Sequence, residues 1–131
     1  MKTIELPGCT VSFLEDDVVQ AHFIDGHTGS VDDVKALFNT IEAERGGRKA
    51  LLMVSVGNGA SLTNEARAYA SGKQGDHVIA ADAIIVRDFG HQLSANAFVR
   101  YNRPGRPAQL FPDKESAVRW LLTQRDRIQQ P

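Results

Sequence analysis

The 131-residue chain has a single cysteine, Cys9, so no disulfide can close within it. A lone thiol suits a reducing compartment, and the cytoplasm is the expected location. An excess of one charge is also missing: 15 Lys and Arg stand against 16 Asp and Glu, a formal net charge of −1. Without a positive excess there is no long-range field to draw the chain to nucleic acid or to an anionic membrane, and neither is expected as a partner. Long hydrophobic runs are absent. Ala50-Leu51-Leu52-Met53-Val54-Ser55-Val56 spans seven residues, whereas a membrane helix needs roughly 20. The opening Met1-Lys2-Thr3-Ile4-Glu5-Leu6-Pro7-Gly8 lacks an apolar core segment, so no signal peptide is expected. His22, His27, His77 and His91 fall at no metal-ligand spacing and have no paired cysteines beside them. No metal and no cofactor is therefore expected. There is no Gly-x-Ser-x-Gly elbow, no Gly-Lys-Ser/Thr loop and no histidine adjacent to Cys9. The expectation is a protein without catalytic residues.

What is present reads as one ordinary globular domain over residues 1–131, with 42% apolar and 24% charged residues and no repeat or linker. Cys9 to Leu14 and Val18 to Ile24 alternate across Glu15-Asp16-Asp17, the pattern of an antiparallel hairpin. Ser30 reads as an N-cap, with Asp32 and Asp33 in the first turn and Val34, Leu37, Phe38 and Ile41 at helical spacing up to Gly46-Gly47. Ala50 to Val56 is nearly unbroken apolar sequence, as in a strand covered on both faces. Thr63 opens a helix that ends near Gly72 or Gly75. Ala81 to Val86 is a second buried strand, interrupted by Asp82. Gly90 to Asn102 reads as a helix with Leu93, Ala97, Phe98 and Tyr101 on one side, broken at Arg103-Pro104-Gly105-Arg106-Pro107. Ala108 to Phe111 is a short strand, and Asp113 caps a last helix burying Ala117, Val118 and Leu121.

The order β-β-α-β-α-β-α-β-α implies an α/β fold. Its sheet would be mixed and mainly parallel, of about five strands, with right-handed crossovers, an N-terminal antiparallel hairpin and four helices.

Three stretches carry a family resemblance: Leu62-Thr63-Asn64-Glu65-Ala66-Arg67-Ala68-Tyr69, Ala83-Ile84-Ile85-Val86, and the ending from Pro107 through Phe111-Pro112-Asp113 to Leu121. With the element order, they make the chain similar to the STAS domain, the fold of anti-sigma factor antagonists and of the cytoplasmic tails of sulfate transporters. More narrowly, the chain resembles small bacterial SpoIIAA-like proteins. In the antagonist branch a partner kinase phosphorylates a serine at a strand-to-helix junction, usually preceded by aspartate, and so toggles partner binding. Here the junction reads Val56-Gly57-Asn58-Gly59-Ala60-Ser61-Leu62-Thr63, without that aspartate. The resemblance implies Ser61, then Thr63, as the phosphoacceptor, and a regulatory or protein-interaction domain rather than an enzyme.

Read on its own, the Gly57-Asn58-Gly59 loop offers backbone amides to a small anion or to a partner's loop, and Asn-Gly is equally good turn chemistry. Ser61 and Thr63 serve as helix caps as readily as phosphosites. Asp88 and His91 lie past the end of a parallel strand, where α/β domains place ligands. The expected partner surface therefore comprises Gly57, Asn58, Gly59, Ser61, Asp88 and His91. Arg100, Tyr101, Arg103 and Arg106 form a basic cluster that reads as a solvated, proline-stiffened loop. Asp82, inside an apolar run, needs a cation if it is buried. The other expectation is a small-molecule or lipid carrier, or an uncharacterised enzyme, with a pocket at the sheet edge. A symmetric homodimer through a sheet edge remains open.

Overall fold

In the computed structural model, which describes residues 1–129, one six-stranded sheet organises the chain. The strands are β1 (Lys2–Leu6), β2 (Cys9–Phe13), β3 (Val18–Phe23), β5 (Ala50–Val56), β7 (Ile79–Ile85) and β8 (Ala108–Phe111), adjacent in that order. β2 runs antiparallel to its neighbours β1 and β3, and β3, β5, β7 and β8 run parallel. Two further short strands, β4 (Thr28–Gly29) and β6 (Ser61–Leu62), pair with each other outside the main sheet. The helices are α1 (Val31–Glu44), α2 (Asn64–Ser71), α3 (Lys73–Val78), α4 (Phe89–Ala97) and α5 (Lys114–Leu122). A π-helical turn, Phe98–Asn102, continues α4, and a 3-10 turn, Arg125–Gln129, follows α5.

The alternation of side chains sends each strand's residues to two different cores. Val11, Val19, Ala21, Phe23, Leu52 and Ile84 face α1, α2 and α4. Val18, Leu51, Met53, Ala81 and Ala83 face α5 and the 3-10 turn. The near-continuous apolar sequence of β5 and β7 follows from this double covering. Among the described residues no helix is long and apolar enough to cross a membrane.

The mixed, mainly parallel sheet and the opening hairpin match the sequence reading, and the caps fall where expected. Ser30 and Asp33 form a reciprocal capping box on α1. Thr63 and Asp113 accept N–H bonds at the starts of α2 and α5.

The structure corrects four details. Lys2–Leu6 is a strand: it pairs along β2 as the sheet edge, where Thr3 and Glu5 stay exposed and dilute the apolar signal. The segment read as one helix after Thr63 is two, because Gly72 is extended (φ −83°, ψ −169°). Among the described residues of α4 and its π-turn, Ala95 and Phe98 are buried, whereas Leu93 and Tyr101 are 58% and 88% exposed. The π-turn is the reason at the C-terminal end: Arg103 N–H bonds back five residues to Phe98 O (3.2 Å), so Phe98 and Tyr101 no longer share a helical face. Arg106, read as part of a solvated loop, is buried.

Candidate functional site

Strands β3, β5 and β7 deliver their C-terminal ends to one edge of the sheet, the edge at which open α/β sheets bind ligands. Each end opens into a loop: Asp25-Gly26 after β3, Gly57-Asn58-Gly59 after β5, and Arg87-Asp88 after β7. Gly57 N–H bonds Phe23 O at 2.7 Å, and a Cβ on Gly57 would collide with the Asp25 carboxylate, so the close approach needs glycine. Asn58 N–H donates to Asp25 Oδ1 at 2.8 Å, and Gly26 N–H donates to Asn58 O at 2.8 Å. The Arg87 guanidinium then closes on Asn58 Oδ1 through Nε (2.9 Å) and Nη2 (2.6 Å). Three loops are thereby tied at one asparagine.

The structure thus brings Gly57, Asn58 and Gly59 together with Asp88 and His91, and Arg87 is the residue that joins them. Asp88 Oδ1 accepts the His91 N–H (2.8 Å) in the first turn of α4. His91 Nδ1 accepts the Arg87 N–H (3.0 Å), so Nε2 carries the proton of the neutral ring. Burial pushes the His91 pKa below its ordinary value. The Asp88 charge opposes that shift and the Arg87 charge adds to it.

Ser61 lies in β6 with its side chain exposed and its N–H on His27 O (3.0 Å). Thr63 is placed differently, since its Oγ1 accepts Ala66 N–H (3.0 Å) as the α2 cap. The N–H groups of Gly57, Asn58, Ala60 and Ser61 all donate within the protein.

Behind this edge, between the sheet and helices α1, α2 and α4, lies a cavity of about 90 Å³. Leu37, Phe38, Leu52, Ile84, Ala95 and Phe98 supply buried apolar wall. Val56, Leu62, Arg67 and His91 are only half-buried and mark the side nearest solvent. Asp82 and Arg106, both buried, supply the polar part of the inner wall.

Asp82 and Arg106 belong to a four-way contact. Arg106 Nε donates to Asp82 Oδ2 (2.6 Å), Nη1 to Asp76 Oδ1 (2.7 Å) and Nη2 to Ala70 O (2.9 Å). Burial pushes the Asp82 pKa up, against the charge and hydrogen bond of Arg106. Burial alone would lower Arg106, but the two carboxylates outweigh it and hold the guanidinium charged. The cation that the buried Asp82 required is therefore Arg106. Sequence reasoning names both halves of this pair without joining them, and it does not single out Arg87. Among the described residues no group of His, Cys, Asp and Glu gathers at metal-binding geometry.

A family profile described as a domain of unknown function (DUF7793) matches residues 12–125, and the chain belongs to that family. The solved structures include a similar one, an uncharacterized protein of the DUF3478 family from Shewanella loihica PV-4 described as having a SpoIIAA-like fold. The likeness has a TM-score of 0.55 at 15% sequence identity over 86% of this chain and 91% of that one. It shows the SpoIIAA-like fold expected from the sequence. No curated protein matches the chain.

Proposed function

We propose that this DUF7793 domain is a non-catalytic regulatory module that binds a protein partner through the loops at the C-terminal edge of its parallel strands. The observation that carries the reading is the Asn58 junction, where Arg87 and Asp25 tie three loops into one preorganised surface. Preorganisation lowers the ordering cost of docking. Ser61 is the hydroxyl through which such a surface is switched. It is exposed, whereas the Thr63 hydroxyl is committed to its cap. Phosphate on Ser61 would add roughly −1.5 to −2 charge at neutral pH.

The test isolates the protein from its own host, maps phosphate on it by intact and peptide mass, and measures binding of each co-purifying protein in purified form. Ser61→Asp and Arg87→Ala should each weaken a genuine partner, while Arg119→Ala on the far face leaves it unchanged. A partner that ignores both loop variants would remove this reading.

A second reading is favoured by the apolar cavity: a small-molecule carrier. Thermal shift against a panel of small apolar compounds checks it, because a ligand of the native state raises its apparent stability.

A further inference from the structure

Among the described residues the cavity wall is apolar except at four side chains. Arg106 commits Nε, Nη1 and Nη2 to Asp82, Asp76 and Ala70 O. Arg67 donates from Nη1 to Leu62 O (2.8 Å) and from Nη2 to Asn64 Oδ1. His91 is held at Nδ1 on the half-buried side. Asp82 is 2% exposed, and its Oδ2 takes the Arg106 bond. Its other oxygen, Oδ1, receives no hydrogen bond from any described residue. Yet no buried side-chain oxygen or nitrogen inaccessible to solvent lacks a partner among the described residues. Oδ1 therefore touches open space, and the open space that Asp82 lines is this cavity.

We propose that the cavity is a binding site for a small neutral aliphatic molecule carrying a hydroxyl group, with its carbons against Leu52, Ile84 and Phe98 and its O–H donated to Asp82 Oδ1. The inference rests on the carrier reading and adds the chemical class of the ligand. Volume limits the buried part: a cavity of 150 Å³ holds benzene, so one of about 90 Å³ takes about three or four carbons.

Charge selects a neutral group. A carboxylate entering here would face the Asp82 charge, and three of the five Arg106 N–H groups are already engaged. An ammonium would enter a wall that carries two guanidiniums, Arg67 and Arg106, against the single carboxylate of Asp82. A hydroxyl supplies the donor that Asp82 Oδ1 can take, without bringing a charge into an apolar site.

Matched probes test the inference on the unmodified protein: 2-propanol and acetone share a carbon skeleton, but only the alcohol donates. Isobutyrate adds a charge, and xenon reports entry of an apolar group with no polar atom. Methyl NMR shifts of Leu52, Val54 and Ile84 are followed in each titration. The expected result is that 2-propanol binds about tenfold more tightly than acetone, the worth of one net hydrogen bond in a buried site, and that isobutyrate binds more weakly still. Ala95→Leu, which fills the cavity, should abolish the shifts.

Xenon entry with acetone equal to 2-propanol, or isobutyrate binding best, overturns the hydroxyl inference and leaves the carrier reading standing. No shift with any probe, xenon included, overturns both. Shifts that survive in a folded Ala95→Leu variant place the binding elsewhere and also overturn the inference. Where that variant does not fold, the positions of the wild-type methyls that shift with xenon locate the site instead.

Discussion

The two faces of the sheet are built from the same strands and put to different uses. On the α5 face, Leu51, Met53, Ala117 and Leu121 are buried without remainder, and Phe111 packs against Trp120 in a tilted arrangement with ring centroids 5.4 Å apart. On the opposite face the helices α1, α2 and α4 enclose equally apolar residues, yet they leave an open volume and a buried ion pair beside it. Dense packing is the default of protein interiors. The face that departs from it is the one whose strand-end loops are cross-tied at Asn58. One face of the sheet thus closes over its central residues, while the other leaves a space beside a buried ion pair.

The largest effect that would sharpen this contrast is Arg106→Met. It leaves Asp82 buried and unpaired on the open face, a loss of about 3–5 kcal/mol of stability by urea denaturation. The double variant Arg106→Met/Asp82→Leu should lose clearly less than the single one, because no charge is then stranded. A double variant as unstable as the single would mean that the pair contributes through shape rather than charge.

Next in size is a comparison of small-to-large changes. Ala117→Leu adds volume at a fully buried position of the α5 core and should destabilise by about 1–3 kcal/mol. Ala95→Leu adds the same atoms beside the cavity and should cost less than about 1 kcal/mol, because part of the added volume is already available. Equal losses would erase the distinction between the faces.

How much of this was visible in the sequence depended on whether a feature is local. The capping box at Ser30 and Asp33, the Thr63 and Asp113 caps and the double-faced apolar run of β5 are written in contiguous residues, and all of them appear in the structure. β1 was missed because an edge strand needs few apolar residues: Ile4 and Leu6 are half-buried, and their neighbours meet water. Leu93 is exposed because the inward face of this helix runs through Ala95 and Phe98, three residues apart, and the π-turn then carries Tyr101 off that face.

The site was legible only in halves. Gly57-Asn58-Gly59 and Asp88-His91 each looked like strand-end loops, but the bond that unites them runs from Arg87 to Asn58, 29 residues apart. Asp82 announced its need for a cation, and Arg106 lies 24 residues further on, where its charge resembled that of the exposed Arg100 and Arg103. The cavity has no sequence signature, since it is the space left between elements whose own patterns are ordinary.

A smaller effect separates the two hydroxyls at the junction after β5. Thr63→Ala removes the acceptor for Ala66 N–H and should cost about 1 kcal/mol. Ser61→Ala removes an exposed side chain and should change stability by less than about 0.5 kcal/mol. A Ser61 loss as large as that of Thr63 would give Ser61 a structural duty and weaken its role as the switch.

The smallest effect is a pH dependence on the open face. His91 is neutral in the fold, with burial holding its pKa below the 6.5 of a free histidine. Below 6.5 the unfolded chain takes up this proton before the folded one, so the unfolded state gains stability as the pH falls. The contribution of His91 is therefore fully present above 6.5 and is lost as the pH drops from there toward the depressed folded value. Protonation also places a hydrogen on Nδ1, where the Arg87 N–H now donates, so the junction between β7 and α4 loosens along with the stability. Urea midpoints measured at pH about 7 and about 5, spanning the range in which histidine titrates, should fall for the wild type by more than for His91→Gln. The protection of the Arg87 amide, meaning its exchange rate compared with that of an unstructured amide at the same pH, should fall over the same range. If the two proteins lose stability in parallel, the pH response belongs to another group, and His91 is not the link between the strand-end surface and the cavity wall it also lines.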